Sequence, residues 1–364
     1  MIGDEAAEGV DGATTSTDPR SGQTGAQVDP AGRDPGSGGD WMKYLTGRLG
    51  RTEELTVAAV LVAMTVGVGI AHPHFLSIDS LGNIGQQAAF FGIIALGMVF
   101  LLAMREIDLS VGGTYEMCLI VAARLITGGM NPWLAAVIAI VVGMGLSGLN
   151  AVIAGVFRIQ LIIVTLGTLS VYGGLALILA PGGSLISITN TSSSFFTILG
   201  NTYLDMPIAV WVALALAILL TVVFTRTRLG FAVRAVGSNE RAAQLAGYSV
   251  FRIRLRAELL VGALCGVAAM LTLGFLQSAD PNAGQNFEIQ TVAAAVIGGT
   301  GLAGGSGSVP GAVIGALIIS VIAGGLVQFG VSPNWGSFIT GVVIVGAVSI
   351  DALLRRRKSL TQTA

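Results

Sequence analysis

Beyond residue 50 the chain is a succession of long apolar runs separated by short polar breaks. The runs are continuous. Strands of a transmembrane barrel alternate polar and apolar positions instead, so the pattern is that of membrane helices. A bilayer core of about 30 Å is crossed by roughly 20 helical residues. On that measure the runs predict ten crossings, at 55–71, 84–104, 109–128, 132–155, 161–180, 207–224, 257–276, 291–303, 309–330 and 336–354. The eighth run is the shortest. The expected fold class is all-α, a polytopic transmembrane helical bundle of about ten spans.

Composition sharpens this picture. Hydrophobic residues make up 53% of the 364 and charged residues 11%, with 52 glycines; the mean hydropathy is +0.80. Soluble domains carry roughly 25% charged residues, and disordered chains need low hydrophobicity, so both classes are excluded for the chain as a whole. Residues 1–40 differ from the rest. Eight acids against Arg20 and Arg33 give them a net −6, and large apolar side chains are almost absent. Such a segment cannot bury enough surface to offset its ordering entropy, and it reads as a disordered acidic tail. It lacks the basic start and directly following apolar core of a signal peptide. The expected organisation is that tail, a membrane domain over 41–358 with the 225–256 loop, and a short tail at 359–364. Cys118 and Cys265 both fall in apolar runs and read as small core residues rather than a disulfide.

Charge also sets an orientation. Lys43, Arg48 and Arg51 precede the first run, seven arginines from Arg226 to Arg256 lie between the sixth and seventh, and Arg355, Arg356, Arg357 and Lys358 follow the last. Ten crossings place all of these on one side, while the opposite loops 72–80, 181–206, 277–290 and 331–335 hold neither Lys nor Arg. By the positive-inside rule both termini and the 225–256 loop are expected in the cytoplasm.

Chemistry of an enzyme is missing from the sequence. No G-x-x-x-x-G-K-[ST] run exists, and the glycine-rich stretch Gly298–Gly307 has no lysine to meet a phosphate. It reads as a close-packed or broken membrane helix. No G-x-S-x-G elbow occurs. His72 and His74 flank Pro73 with no cysteine or further histidine nearby, which suits an interfacial turn better than a metal site. Nor is there a nucleic-acid-binding signature, and no metal or cofactor is expected on this chain.

The 225–256 loop carries a short helix signal. Ser238 is placed to cap it, Glu240 suits the first turn, and Gly247 suits the position just past the end. Helices below roughly 12 residues are marginal alone in water, so this one needs a surface, either its own protein or a partner. Three further motifs join it: Ile107–Gly112 with Asp108 and Ser110, Thr165–Gly174 with Thr168, and Gly298–Gly305 followed by Gly311 and Gly315. Together, in order from about residue 72 to 350, these resemble the ribose/xylose-type (monosaccharide) permeases of ATP-binding-cassette importers. The resemblance implies a type II importer-like bundle in the bacterial inner membrane, working as a homodimer. It also implies paired cytoplasmic ATPase subunits that hold ATP and Mg, and a periplasmic or lipid-anchored sugar-binding protein. In that family the loop helix inserts into the ATPase, which on this sequence assigns coupling to Gly237, Asn239, Glu240, Ala242, Ala243 and Gly247.

Other positions have two readings each. Asp108 either caps the third helix or takes part in gating. Glu116 and Arg124 would each cost about 2.5–3.5 kcal/mol at the centre of a membrane helix, so they face the bundle or water. Eight residues apart, they are displaced by roughly 12 Å along the axis and are not expected to pair. Either they line a path for a polar solute, or Arg124 snorkels to the outer face. Both depart from the small apolar residues usual there in such permeases, as Gln290 departs from a usual acid. Thr165 and Thr168 are candidate path residues, although such hydroxyls commonly bond their own helix carbonyls. Gly304, Gly305, Gly311 and Gly315 are expected to allow close helix packing.

Two rivals stand beside an ATP-driven importer. A self-sufficient secondary transporter would need an intramembrane ion relay, for which Asp108, Glu116 and Glu258 are the only candidates; a local pair of Glu258 with Arg254 four residues earlier explains Glu258 more simply. A membrane scaffold without transport is the other. Among solutes, a pentose or related monosaccharide fits the motifs best, with nucleosides, furanone signals, polyols and branched-chain amino acids as alternatives.

Overall fold

The computed structural model describes residues 49–332 and isolated positions between 335 and 346. The acidic tail, most of the tenth run, the Arg355–Lys358 cluster and the 359–364 tail lie outside the described residues. Among the described residues twelve α-helices run in order: α1 (Leu49–Ala71), α2 (Ile78–Ala103), α3 (Val111–Thr127), α4 (Pro132–Phe157), α5 (Leu161–Leu179), α6 (Ser194–Leu199), α7 (Ile208–Arg226), α8 (Arg228–Ser238), α9 (Glu240–Leu245), α10 (Val250–Leu276), α11 (Phe287–Ile297) and α12 (Val309–Gln328). Four two-residue strands form two small antiparallel pairs. Ile186–Ser187 pairs with Ser278–Ala279, and Thr202–Tyr203 with Met206–Pro207.

Seven of the helices, α1, α2, α4, α5, α7, α10 and α12, are long and apolar enough to cross a membrane. With its polar groups spent within helices, the chain solves the backbone problem that a bilayer poses. The third expected crossing is the 17-residue α3. The eighth differs from expectation: α11 has 11 residues, roughly 16 Å at 1.5 Å per residue, too short to cross alone. It stops at Gly298 because Gly299, Gly304 and Gly305 in the following connection take positive φ, a conformation that a helix cannot continue. The Gly298–Gly307 stretch is thus the broken-helix alternative.

At the centre is α2. Ile93 through Ala103 are all buried, and a helix apolar on every side belongs in the middle of a bundle. Ser77 starts it by accepting from the Ser80 amide at 3.3 Å, six residues before the apolar run suggests. α10 likewise begins at Val250, inside the arginine-rich loop, with Ser249 as its cap. Close backbone crossings rely on glycine. A Cβ on Gly143 of α4 would overlap the Gly262 carbonyl of α10, and one on Gly262 would overlap the Gly143 carbonyl. Gly311 and Gly315 of α12 face the carbonyls of Gly298 and Ala294 in the same way. Small residues thus let membrane helices approach where apolar burial gives little drive.

Candidate functional site

Three layers of polar structure run through the bundle. The first lies at the end carrying the arginine-rich segment. Thr227 caps α8, its Oγ1 accepting from the Gly230 amide at 3.4 Å. α8 ends at Ser238, and α9 follows at once. The cap of α9 is Asn239, not Ser238 as the sequence suggested. Asn239 is extended at φ −155°, and its Oδ1 accepts from the Ala242 amide at 3.0 Å; Ser238 is still helical and cannot serve. Gly247, at φ +89°, closes the other end: its amide bonds the Gln244 carbonyl and the Tyr248 amide bonds the Ala243 carbonyl, each at 3.0 Å. That is the pairing of a glycine-terminated helix. Within α9, Gln244 donates to Glu240 Oε1 at 3.1 Å. Ala243 is buried, while Leu245 is 91% exposed.

This segment is tied to two others. Gly237 sits so close to the end of α2 that a Cβ would overlap the Ala103 carbonyl. The Gly305 amide donates to the same carbonyl at 2.8 Å. Arg105, itself at φ +66°, donates from Nε to the Ala303 carbonyl at 2.6 Å and from Nη2 to the Ser238 carbonyl at 3.3 Å. Gly304 and Gly305 therefore act in a turn that meets α2 and α8, not inside a helix. Next to this knot, Arg254 of α10 grips Glu106, with Nε 2.6 and 2.7 Å from the two carboxylate oxygens. A cleft of about 390 Å³ opens here, bounded by Arg105, Glu106, Arg254 and Glu240 among others.

The second layer is buried. Asp108 lies in the connection between α2 and α3 and is wholly buried. Its Oδ1 accepts from both the amide and the hydroxyl of Ser110, each at 2.7 Å. It thereby holds the turn entering α3 rather than the amides of the first helical turn, as a helix cap would. Asn150 of α4 donates to the Ser110 hydroxyl at 2.8 Å, and the Tyr172 hydroxyl of α5 lies 3.0 Å from Asn150 Oδ1. Thr165 accepts from the Leu109 amide at 3.1 Å. Thr168 donates within its own helix, to the Thr165 carbonyl at 3.4 Å. Burial raises the Asp108 carboxyl above the ordinary carboxylate range, against the pull of its two bonds from Ser110.

Glu258 completes this layer and corrects an expectation. It does not pair with Arg254, which is turned to Glu106. Instead Glu258 is wholly buried with its carboxyl within hydrogen-bonding reach of Asp108. Asp108 Oδ2 and both Glu258 oxygens have no other hydrogen-bond partner among the described residues. One proton held between Asp108 Oδ2 and a Glu258 oxygen would satisfy two of these three atoms.

The third layer is at the opposite end of α2. Glu116 is buried in α3 and accepts from the Gly284 amide at 3.2 Å, anchoring the loop before α11. Arg124 is exposed in the last turn of α3, away from Glu116. Beside this loop a cavity of about 420 Å³ lies between the first half of α2, the end of α10 and the start of α11. Asn83, Gln86, Gln87 and Gln290 supply carboxamides to its wall. Phenyl rings of Phe90, Phe91, Phe275 and Phe287 supply the remainder. In the sequence Gln86 and Gln87 are polar groups inside an apolar run, and only tertiary packing sets them against α10 and α11.

A helical bundle with many apolar crossing segments, polar layers from end to end and a glycine-capped helix at one end is a multi-pass membrane permease. The comparisons agree. Residues 80–348 match the family described as branched-chain amino acid transport system / permease component, and the chain belongs to that family. It is similar to the ribose import permease of Haemophilus influenzae, with 30% identity over 84% of this chain and 95% of that protein. Its similarity to the ribose import permease of Bacillus subtilis is 33% over 82% of this chain and 91% of that protein. With the D-allose transport system permease of Escherichia coli it shares 30% over 87% of this chain and 93% of that protein. No solved structure matches the chain.

Proposed function

We propose that the chain is the membrane-spanning subunit of an ATP-driven importer that brings a monosaccharide of the ribose type across the bacterial inner membrane. It works as a homodimer of the type II kind, each chain crossing ten times, once by α11 together with the broken Gly298–Gly307 stretch, with both termini in the cytoplasm. ATP and Mg are held by a cytoplasmic partner ATPase, and a periplasmic or lipid-anchored binding protein delivers the sugar. The chain itself carries out no hydrolysis; its sequence has no nucleotide-binding loop.

The observation that carries this reading is α9. A six-residue helix closed by Asn239 and Gly247 holds Leu245 out at 91% exposure among arginines. Such a helix is too short to be stable alone, and its protruding leucine gains by burial against another protein. Through Gly237 and Arg105 it is fastened to the end of α2, so a displacement of α9 is passed to the central helix. ATP-driven closure of the partner then shifts α2 against its neighbours and alternates access to the path. The Asp108 layer, next along α2, keeps α3, α4, α5 and α10 in register as this happens.

The test is uptake of radiolabelled D-ribose by host cells carrying the chain with Glu240 and Gly247 both replaced by alanine. Uptake is expected to vanish while the protein stays at its normal level in the membrane. Uptake at the wild-type rate would rule out coupling through α9.

A further inference from the structure

We infer that the cavity between α2, α10 and α11 is a solute-accepting site for one neutral polyhydroxylated ring, with Gln86 as its principal hydrogen-bond donor. This rests on the import reading above and gives it a place on the chain. Gln86 is 4% exposed and its Nε2 has no hydrogen-bond partner among the described residues. A buried amide nitrogen without a partner costs about 1–3 kcal/mol, and native proteins leave few of them. Its side chain belongs to the cavity wall, and rotation about its broad terminal torsion brings the buried amide to a solute oxygen that accepts the missing bond.

The remainder of the wall fits the same ligand. At about 420 Å³ the space falls within the range of small-molecule sites, roughly 300–1,000 Å³. Phe91 and Phe287 stand edge to face, centroids 6.2 Å apart, a rigid apolar corner for the C–H face of a sugar ring. Gln290, one turn beyond Phe287 on α11, offers both an amide donor and a carbonyl acceptor to hydroxyls. Among the described residues no charged side chain lines the cavity. A free amino acid would bring an ammonium and a carboxylate into this wall without counter-charges, and unpaired charges are costly to desolvate. The geometry therefore separates sugars from branched-chain amino acids, although the family's description mentions the latter.

Position supports a receiving role. Gln86 lies 17 residues before Ala103 on one continuous helix, about 26 Å by helical rise, so the cavity sits at the end of α2 opposite the α9 knot. A solute entering from that end meets Gln86 before it meets the Asp108 layer.

The experiment measures initial uptake of D-ribose, D-allose and L-leucine in host cells carrying the full chain, wild type, Gln86→Leu or Gln290→Leu. Wild-type cells are expected to take up at least one of the sugars and not leucine, and Gln86→Leu to lower that uptake at least tenfold. To separate binding from folding, Gln290→Cys is labelled with a membrane-impermeant maleimide; Cys118 and Cys265 are wholly buried. Saturating sugar should protect Cys at 290 in the otherwise native chain. With Gln86→Leu added, labelling should persist and protection disappear. Sugar uptake at the wild-type rate by both leucine variants would overturn the cavity and leave the import reading standing. Uptake of leucine and neither sugar by the wild type would overturn both.

Discussion

Arg105 donates from Nε to the Ala303 carbonyl at 2.6 Å, joining the end of the central helix α2 to the glycine-rich turn after α11. A second nitrogen of the same guanidinium reaches the Ser238 carbonyl, at the last residue of α8. One side chain thus spans three segments far apart in sequence. Its left-handed backbone, φ +66°, is uncommon for a residue with a side chain, and lets the chain turn sharply out of α2.

Replacing Arg105 by alanine should therefore loosen α9 from α2 without disturbing the apolar bundle. Ribose uptake is expected to fall about tenfold, with membrane level unchanged by immunoblot. An unchanged rate would mean that the three segments move together without this tie.

Gly237→Ala should act more severely. The added methyl overlaps the Ala103 carbonyl and lies 2.7 Å from the Gly305 amide nitrogen, both backbone atoms with little room to yield. Overpacking of this kind costs about 1–3 kcal/mol. A lower melting temperature of the purified protein in detergent, together with lost uptake, is the expected result.

Glu258 offers a paired test of the buried layer. Glu258→Gln places an amide donor where a shared proton would stand, facing Asp108 Oδ2, and should leave thermal stability within a few degrees of wild type. Glu258→Ala leaves that buried oxygen without a donor, at a cost of about 1–3 kcal/mol. Equal melting temperatures for the two variants would show that the acids do not interact.

Much of the bundle was legible in the sequence because a membrane helix needs little more than length and apolarity. Seven runs became full helices for that reason. Boundaries were missed where polar residues continue a helix beyond its apolar part, as at Arg252 and Arg254 of α10. The short α9 was visible through Glu240 and Gly247, yet Asn239 took the capping role because α8 extends through Ser238. Glu258 was misassigned since spacing on one helix shows which residues are neighbours and not which one a more distant acid, Glu106, has already engaged. The Gln86 cavity was hidden for a related reason. Its carboxamides come from α2 and α11, some 200 residues apart, and periodicity within either helix gives no sign that they meet.

The most direct test of the account is purification of the chain from its native membrane in mild detergent, wild type and Leu245→Asp, with mass spectrometry of what accompanies it. A stoichiometric ATPase subunit is expected with the wild type, and its loss from Leu245→Asp. Repeated isolation of the wild-type chain alone would contradict it.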